Sequence, residues 1–134
     1  MAIRYLTIDE VIALHDYAVE RFGGSLGLTD RGKLEASIAA PMQNVFGTEL
    51  YPDLWSKAAI LFFLLIKNHP FIDGNKRTAL YVLLRFLEIN GFTISGVTND
   101  ELYQFTMDVA NSLLDKDDIA EWLKAHTIPI PLPV

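Results

Sequence analysis

A run of nine apolar residues from Ala58 to Ile66 is the strongest constraint on how this chain can fold. Asp53 precedes the run and can cap a helix that continues to Lys67. A helix that is apolar on nearly all of its faces has to be covered by other elements, so it is predicted at the centre of a bundle. A membrane-spanning helix needs roughly 20 apolar residues, and this run is therefore interpreted as a buried core helix.

Helical patterns are predicted on both sides of this central helix. Thr7 with Glu10, and Thr98 with Glu101, match the capping box that opens many helices. The predicted helices cover residues 7–22, 29–41, 53–67, 75–90, 98–114 and 115–126. Met42 to Pro52 lacks helical periodicity and is predicted as a loop or short hairpin. We therefore expect an all-α, compact single-domain bundle of about six helices over residues 1–134, with no confident sheet.

The end of the chain has a different composition from the rest. Prolines alternate with other residues in the last segment, which excludes a helix there. Residues 127–134 are therefore predicted as an extended, Pro-rich tail.

Composition and charge exclude several classes of function. The chain has 134 residues, 11 Lys and Arg against 17 Asp and Glu, and a net charge of −6. A surface that coats a phosphate backbone usually carries the opposite sign, so no direct nucleic-acid binding is expected. The absence of cysteine excludes disulfides, thiolate metal sites and cysteine nucleophiles. With no targeting segment at the N-terminus, we expect a cytoplasmic protein with no membrane partner.

The segment from His69 to Arg77 reads His-Pro-Phe-Ile-Asp-Gly-Asn-Lys-Arg and concentrates chemically useful groups. It leads from a turn directly into a helix, whose first N–H groups have no internal acceptor and favour an anion. Lys76 and Arg77 stand in the first helical turn, where the dipole alone would favour acidic residues. An anion bound between them would account for their presence. The segment is thus predicted to be a phosphate-binding turn.

Three other residues of the segment complete this prediction. Asp73 precedes the helix and can hold a divalent metal beside phosphates, since Mg²⁺ favours one or two carboxylates with phosphate oxygens. His69 is the only base of the turn that titrates near neutral pH. Gly74 leaves room for a ligand to approach the backbone. By contrast, His15 falls on the apolar face of the first helix, which favours a hydrogen-bonded core histidine over a role beside the site.

This motif resembles the signature loop of the Fic/Doc family in its Doc (death-on-curing) form, and the resemblance covers about residues 5–125. It implies a transferase that acts on a hydroxyl of a target protein. His69 would be the catalytic general base, and Asp73 would bind Mg²⁺. The residues that would hold the phosphates of ATP are Gly74, Asn75, Lys76 and Arg77. The Met42 to Pro52 segment would be a flap that holds the target, and Phe71 a buried anchor.

Two departures from the Fic pattern bear on the reaction. The Fic form has a glycine where this chain has Lys76, and an arginine where it has Leu80. Doc members share the lysine, and the family interpretation is that their nucleotide binds reversed and presents its γ-phosphate. The resemblance therefore implies a protein kinase, whose target would be a translation elongation factor of the Tu type. Modification of this factor would inhibit translation.

Regulation and two alternatives follow from the same resemblance. Many Fic proteins carry an inhibitory Ser/Thr-x-x-x-Glu-Gly/Asn pattern, which this chain lacks. The implied inhibitor is then a separate antitoxin, as in a toxin–antitoxin pair. One alternative is a Fic-like nucleotidyl (AMP) transferase. The other is a catalytically weak member that binds a partner, because a Doc toxin has asparagine where this chain has Tyr81.

Overall fold

The predicted apolar helix is the centre of the structure. The computed structural model describes residues 2–131, and this part of the chain folds into six α-helices with four very short strands. The helices are α1 (Ile8–Phe22), α2 (Arg31–Ala39), α3 (Leu54–Asn68), α4 (Asn75–Ile89), α5 (Asn99–Ala110) and α6 (Lys116–His126). The strands are β1 (Asn44–Val45), β2 (Thr48–Glu49), β3 (Phe92–Ile94) and β4 (Thr127–Pro129). The prediction of a compact all-α bundle is confirmed.

Helix α3 packs against α2, α4, α5 and α6, which explains its apolar composition. Its most extensive contacts are with α4 and α6. Phe62 stands at its middle with no solvent exposure and stacks on Phe105 of α5, with ring centroids 5.7 Å apart. Leu83 and Leu87 of α4 are equally buried. The packing of these helices around α3 therefore follows from the burial of one apolar segment.

The predicted capping boxes are both present. The Thr7 hydroxyl accepts the N–H of Glu10, and the Glu10 carboxylate accepts the N–H of Thr7. Thr98 and Glu101 repeat this arrangement at the start of α5. The threonine N–H and hydroxyl hold the pKa of each of these two glutamates below its usual value. These contacts are local in sequence, which is why the pattern predicts them correctly.

Helix α5 ends at Ala110, four residues before the predicted end. Ser112 adopts a left-handed backbone conformation with φ of 62°, and its N–H binds the carbonyl of Val109. The N–H of Leu113 reaches back to the carbonyl of Asp108 at 2.8 Å. This pair of bonds is a Schellman closure, which usually uses glycine and here uses serine.

The sequence predicts no confident sheet, and the structure adds one short strand pairing near the end of the chain. Within the predicted tail, Thr127–Pro129 forms β4, which pairs with β3 as an antiparallel strand. Prolines that exclude a helix are compatible with an edge strand of this kind. The Trp55 indole of α3 donates to the Thr127 hydroxyl at 2.8 Å and packs edge-on against Phe92. Residues 132–134 of the predicted tail lie outside the described residues.

The predicted hairpin before the central helix is present as β1 and β2. Phe46 and Gly47 form its turn, both with positive φ, and the Phe46 side chain is fully exposed. Lys57 of α3 anchors the base of this hairpin. Its ammonium is buried and donates to the carbonyls of Pro41 and Tyr51, at 3.1 and 2.6 Å, and to the Glu49 carboxylate at 2.9 Å.

No helix within residues 2–131 combines the length and the apolar content that a membrane crossing requires.

We expect Lys57→Met to lower the free energy of unfolding by about 2 kcal/mol or more, because the carbonyls of Pro41 and Tyr51 lose their donor in a buried place. Urea denaturation would measure this change. Glu49→Gln is the matched control, since Glu49 is half exposed and its loss leaves both carbonyls bound. Equal stability of Lys57→Met and the wild type would contradict the anchoring role.

Candidate functional site

The predicted motif forms the connection between α3 and α4. His69 follows the last residue of α3 and adopts a left-handed conformation with φ of 46° and ψ of 57°. This conformation is uncommon for a residue other than glycine, and such strain is concentrated at functional sites. The His69 side chain is exposed, and its imidazole has no hydrogen-bond partner within residues 2–131. The base is therefore free to contact a ligand.

The segment before α2 fixes the backbone of this connection. The Thr29 hydroxyl donates to the carbonyl of His69 at 2.9 Å, and the Thr29 N–H donates to the carbonyl of Pro70 at 2.9 Å. The N–H of Ile72 donates to the carbonyl of Gly27 at 3.1 Å. These bonds run between chain segments about 40 residues apart and hold the turn in one conformation.

The side chain of Asn75 holds the turn through two hydrogen bonds to the backbone of Phe71. Its side-chain oxygen accepts the N–H of Phe71 at 2.9 Å, and its side-chain nitrogen donates to the carbonyl of Phe71 at the same distance. These two bonds fix the orientation of the Asn75 amide relative to the turn. The Phe71 ring is buried, in agreement with the prediction of an anchor.

His15 of helix α1 packs against the turn. The His15 ring is buried and stacks on the Phe71 ring, with centroids 3.9 Å apart. Its Nε2 lies 2.7 Å from the carbonyl oxygen of Asp73, and since a carbonyl only accepts, Nε2 carries the proton. His15 is thus a hydrogen-bonded core histidine, as predicted. In addition, it contacts the backbone of the candidate site.

Helix α4 begins without a side-chain cap. Gly74 occupies the capping position with φ of 72°, and no side chain accepts the first N–H groups within the described chain. The first turn contains no acidic residue but carries the exposed cations Lys76 and Arg77. Free N–H groups, the positive end of the helix dipole and two cations combine to favour an anion at this point.

All six predicted site residues line one cleft of about 460 Å³. Its lining consists of His69, Ile72, Asp73, Gly74, Asn75, Lys76, Arg77, Leu80, Tyr103 and Thr106. Tyr103 and Thr106 come from α5 and were not predicted from the sequence. They are three residues apart and so share a helix face, but the pattern does not show which helix faces the motif.

Asp73 is the one acidic residue lining this cleft. Its Oδ1 accepts the N–H of Gly74 at 2.9 Å. Its Oδ2 lies 2.8 Å from the position that a Cβ on Gly24 would occupy. Gly24 lies just beyond the end of α1, and its missing side chain makes room for the carboxylate.

The chemistry of the donor set limits how a metal could bind. No cluster of three or more His, Asp or Glu side chains suitable for a metal occurs within residues 2–131. A cation at Asp73 would therefore complete its shell with water and ligand oxygens. This arrangement fits Mg²⁺ carried by phosphates and does not fit a closed structural metal site.

The sequence is similar to a known protein family and to two curated relatives. The model of the Fic/DOC family matches residues 5–87, which is more than half of the chain. This chain belongs to the Fic/DOC family. The matched range contains α1, α2, the hairpin, α3, the motif and nearly all of α4. It includes every residue predicted for the site.

Two curated relatives extend the similarity over most of the chain. The chain is 39% identical over 117 residues to a protein named Toxin Doc from Mycolicibacterium smegmatis, covering 87% of this chain and 88% of the relative. It is 34% identical over 122 residues to Protein kinase doc from Escherichia phage P1, covering 91% of this chain and 94% of the relative. Both similarities reach beyond residue 87 into the part that contains α5.

Proposed function

We propose that this protein is a Doc-type toxin that transfers the γ-phosphate of ATP to a hydroxyl of a target protein. The observation that carries the proposal is the cleft in which a free imidazole, a carboxylate and two cations surround an uncapped helix N-terminus. The names of the two relatives, a toxin and a protein kinase, support it.

The start of α4 is the proposed phosphate site. Its N–H groups, from Asn75 onward, point out of the helix end, and Gly74 lets a phosphate approach the backbone. Lys76 and Arg77 supply two positive charges that balance the phosphate oxygens. Since phosphoryl transfer depends mainly on positioning and charge stabilisation, these groups would supply most of the catalysis.

His69 is the proposed general base. Its imidazole takes the proton of the target hydroxyl while the hydroxyl oxygen bonds to the γ-phosphorus. The bond between the γ-phosphorus and its bridging oxygen then breaks, and ADP leaves with that oxygen. The products are the phosphorylated target, ADP and the proton on His69, which passes to solvent because the side chain is exposed.

Asp73 is the proposed ligand of Mg²⁺. When bound, the metal neutralises charge on the phosphate oxygens. The Gly74 N–H holds one oxygen of the Asp73 carboxylate, and the space above Gly24 admits the other. These contacts orient the carboxylate at the cleft before a nucleotide arrives.

The side chains of α4 favour phosphoryl over nucleotidyl transfer. Leu80 lines the cleft and is apolar where the Fic pattern has an arginine. Lys76 fills the position of the second Fic glycine. A nucleotide in the Fic orientation would lose one cation and meet the lysine side chain, whereas the reversed orientation presents the γ-phosphate to His69.

The proposal includes a target and an inhibitor. We propose that the target is an elongation factor of the Tu type, so that translation stops, and that the protein acts in the cytoplasm, where that factor works. We also propose a cognate antitoxin as its neutralising partner, in accordance with the toxin named among the relatives.

Expression in bacteria without an antitoxin tests the proposal. We expect growth arrest by the wild type, and growth with His69→Ala or Arg77→Ala. Arg85→Ala should remain toxic, because Arg85 lies on the same helix but pairs with Glu88 and does not line the cleft. By calorimetry, Arg77→Ala should bind Mg·ATP at least tenfold more weakly, whereas His69→Ala should bind normally. An equally toxic His69→Ala protein would overturn the proposed mechanism.

Gly24→Ala should weaken binding of Mg·ATP because the new methyl group displaces the Asp73 carboxylate. Gly23→Ala is the matched control: Gly23 also has positive φ, but a Cβ there meets nothing within 4 Å. Both variants carry backbone strain, and only one crowds the site. Titration with Mg²⁺ at fixed ATP should show a higher midpoint for Gly24→Ala alone. The same midpoint in both variants would count against metal binding by Asp73.

A further inference from the structure

Arg77 is held by an aromatic ring that lies outside the motif. Its guanidinium carbon stands 3.8 Å from the centroid of the Phe22 ring. Phe22 is the last residue of α1, and Arg77 is the third residue of α4. No carboxylate lies within ion-pair distance of Arg77 in residues 2–131. The ring is therefore the contact that orients this cation.

Stacking of this kind leaves the guanidinium available to a ligand. The guanidinium carbon lies over the ring at 3.8 Å. A cation–π contact is made with the ring and uses no hydrogen-bond acceptor, so it leaves N–H donors of the guanidinium for other partners. A carboxylate partner would instead occupy those donors and neutralise the charge. An arginine held by a ring thus keeps both its charge and its hydrogen-bonding edge for a phosphate.

The ring itself is held in place by neighbouring aromatic residues. Tyr81, one helical turn after Arg77, lies 6.3 Å from the Phe22 ring and 5.9 Å from the Tyr17 ring, measured between centroids. Phe22 is 46% exposed, so its contribution to the core is limited. The contact with Arg77 gives this exposed aromatic residue a role that burial does not explain.

We propose that Phe22 is a positioning residue that holds the Arg77 guanidinium at the cleft with its donors free for the nucleotide phosphates. This inference rests on the proposed function, which assigns ATP to the cleft. It adds an uncharged residue from α1 to a site whose charged members all come from the motif. Without the ring, Arg77 samples more side-chain conformations and binds phosphate after an added loss of entropy.

The test compares Mg·ATP dissociation constants by calorimetry on the full chain. Phe22→Leu should raise the constant about threefold, the size of an exposed cation–π contact. Phe22→Tyr keeps the ring and should bind like the wild type. In an Arg77→Ala background, titrated into the millimolar range, Phe22→Leu should have no further effect. By NMR, the Arg77 side-chain protons should shift downfield in Phe22→Leu, since they lose the ring current.

Each contrary result has a distinct meaning. If Phe22→Leu binds like the wild type while Arg77→Ala binds weakly, the positioning role is wrong and the proposed function stands. If Phe22→Leu weakens binding equally in both backgrounds, Phe22 acts on the cleft without Arg77, and the inference is overturned. If the wild type binds no Mg·ATP, the proposed function fails and this inference fails with it.

Discussion

The burial of α3 is the constraint on which the arrangement of this protein depends. Because nearly all of its faces are apolar, four other helices must pack around it, and its two ends become fixed points of the fold. The buried ammonium of Lys57 ties the hairpin to the first half of α3. At the other end, the left-handed turn at His69 carries the chain directly into α4. The cleft is thus built where the central, buried helix of the bundle ends.

The site also requires a turn whose backbone is held in place while the His69 side chain has no hydrogen-bond partner within the described residues. Thr29, His15 and Asn75 each bind backbone groups of the segment from His69 to Asp73. These bonds come from three different parts of the chain, and none uses the imidazole of His69 or the first N–H groups of α4. The internal hydrogen bonds therefore hold the backbone of the turn in place. The His69 imidazole and the first N–H groups of α4 stay available to a ligand, as preorganised electrostatic catalysis requires.

The sequence predicts the parts of this structure that depend on local contacts. The helix starts at Thr7 and Thr98, the apolar helix and the turn that precedes α4 follow from neighbouring residues. The pairing of β3 with β4 was missed, because it joins segments more than 30 residues apart and its strands have only three residues each. The contact of Phe22 with Arg77 could not be predicted either, because the sequence does not show which residues of α1 and α4 lie close together. Asn75 shows a further limit: an amide at a helix start can bind a ligand or pin a turn, and only the structure shows that its side chain pins Phe71.

The proposed reaction, in which this cleft presents the γ-phosphate of ATP to a protein hydroxyl, can be tested by a transfer assay with two labels. The purified protein would be mixed with Mg²⁺ and an elongation factor of the Tu type, once with γ-labelled and once with α-labelled ATP. The proposed reaction predicts label on the target from γ-labelled ATP only, and none with His69→Ala. Label from α-labelled ATP would contradict it, because the reaction would then be nucleotidyl transfer and the assignment of Lys76 and Leu80 would be wrong.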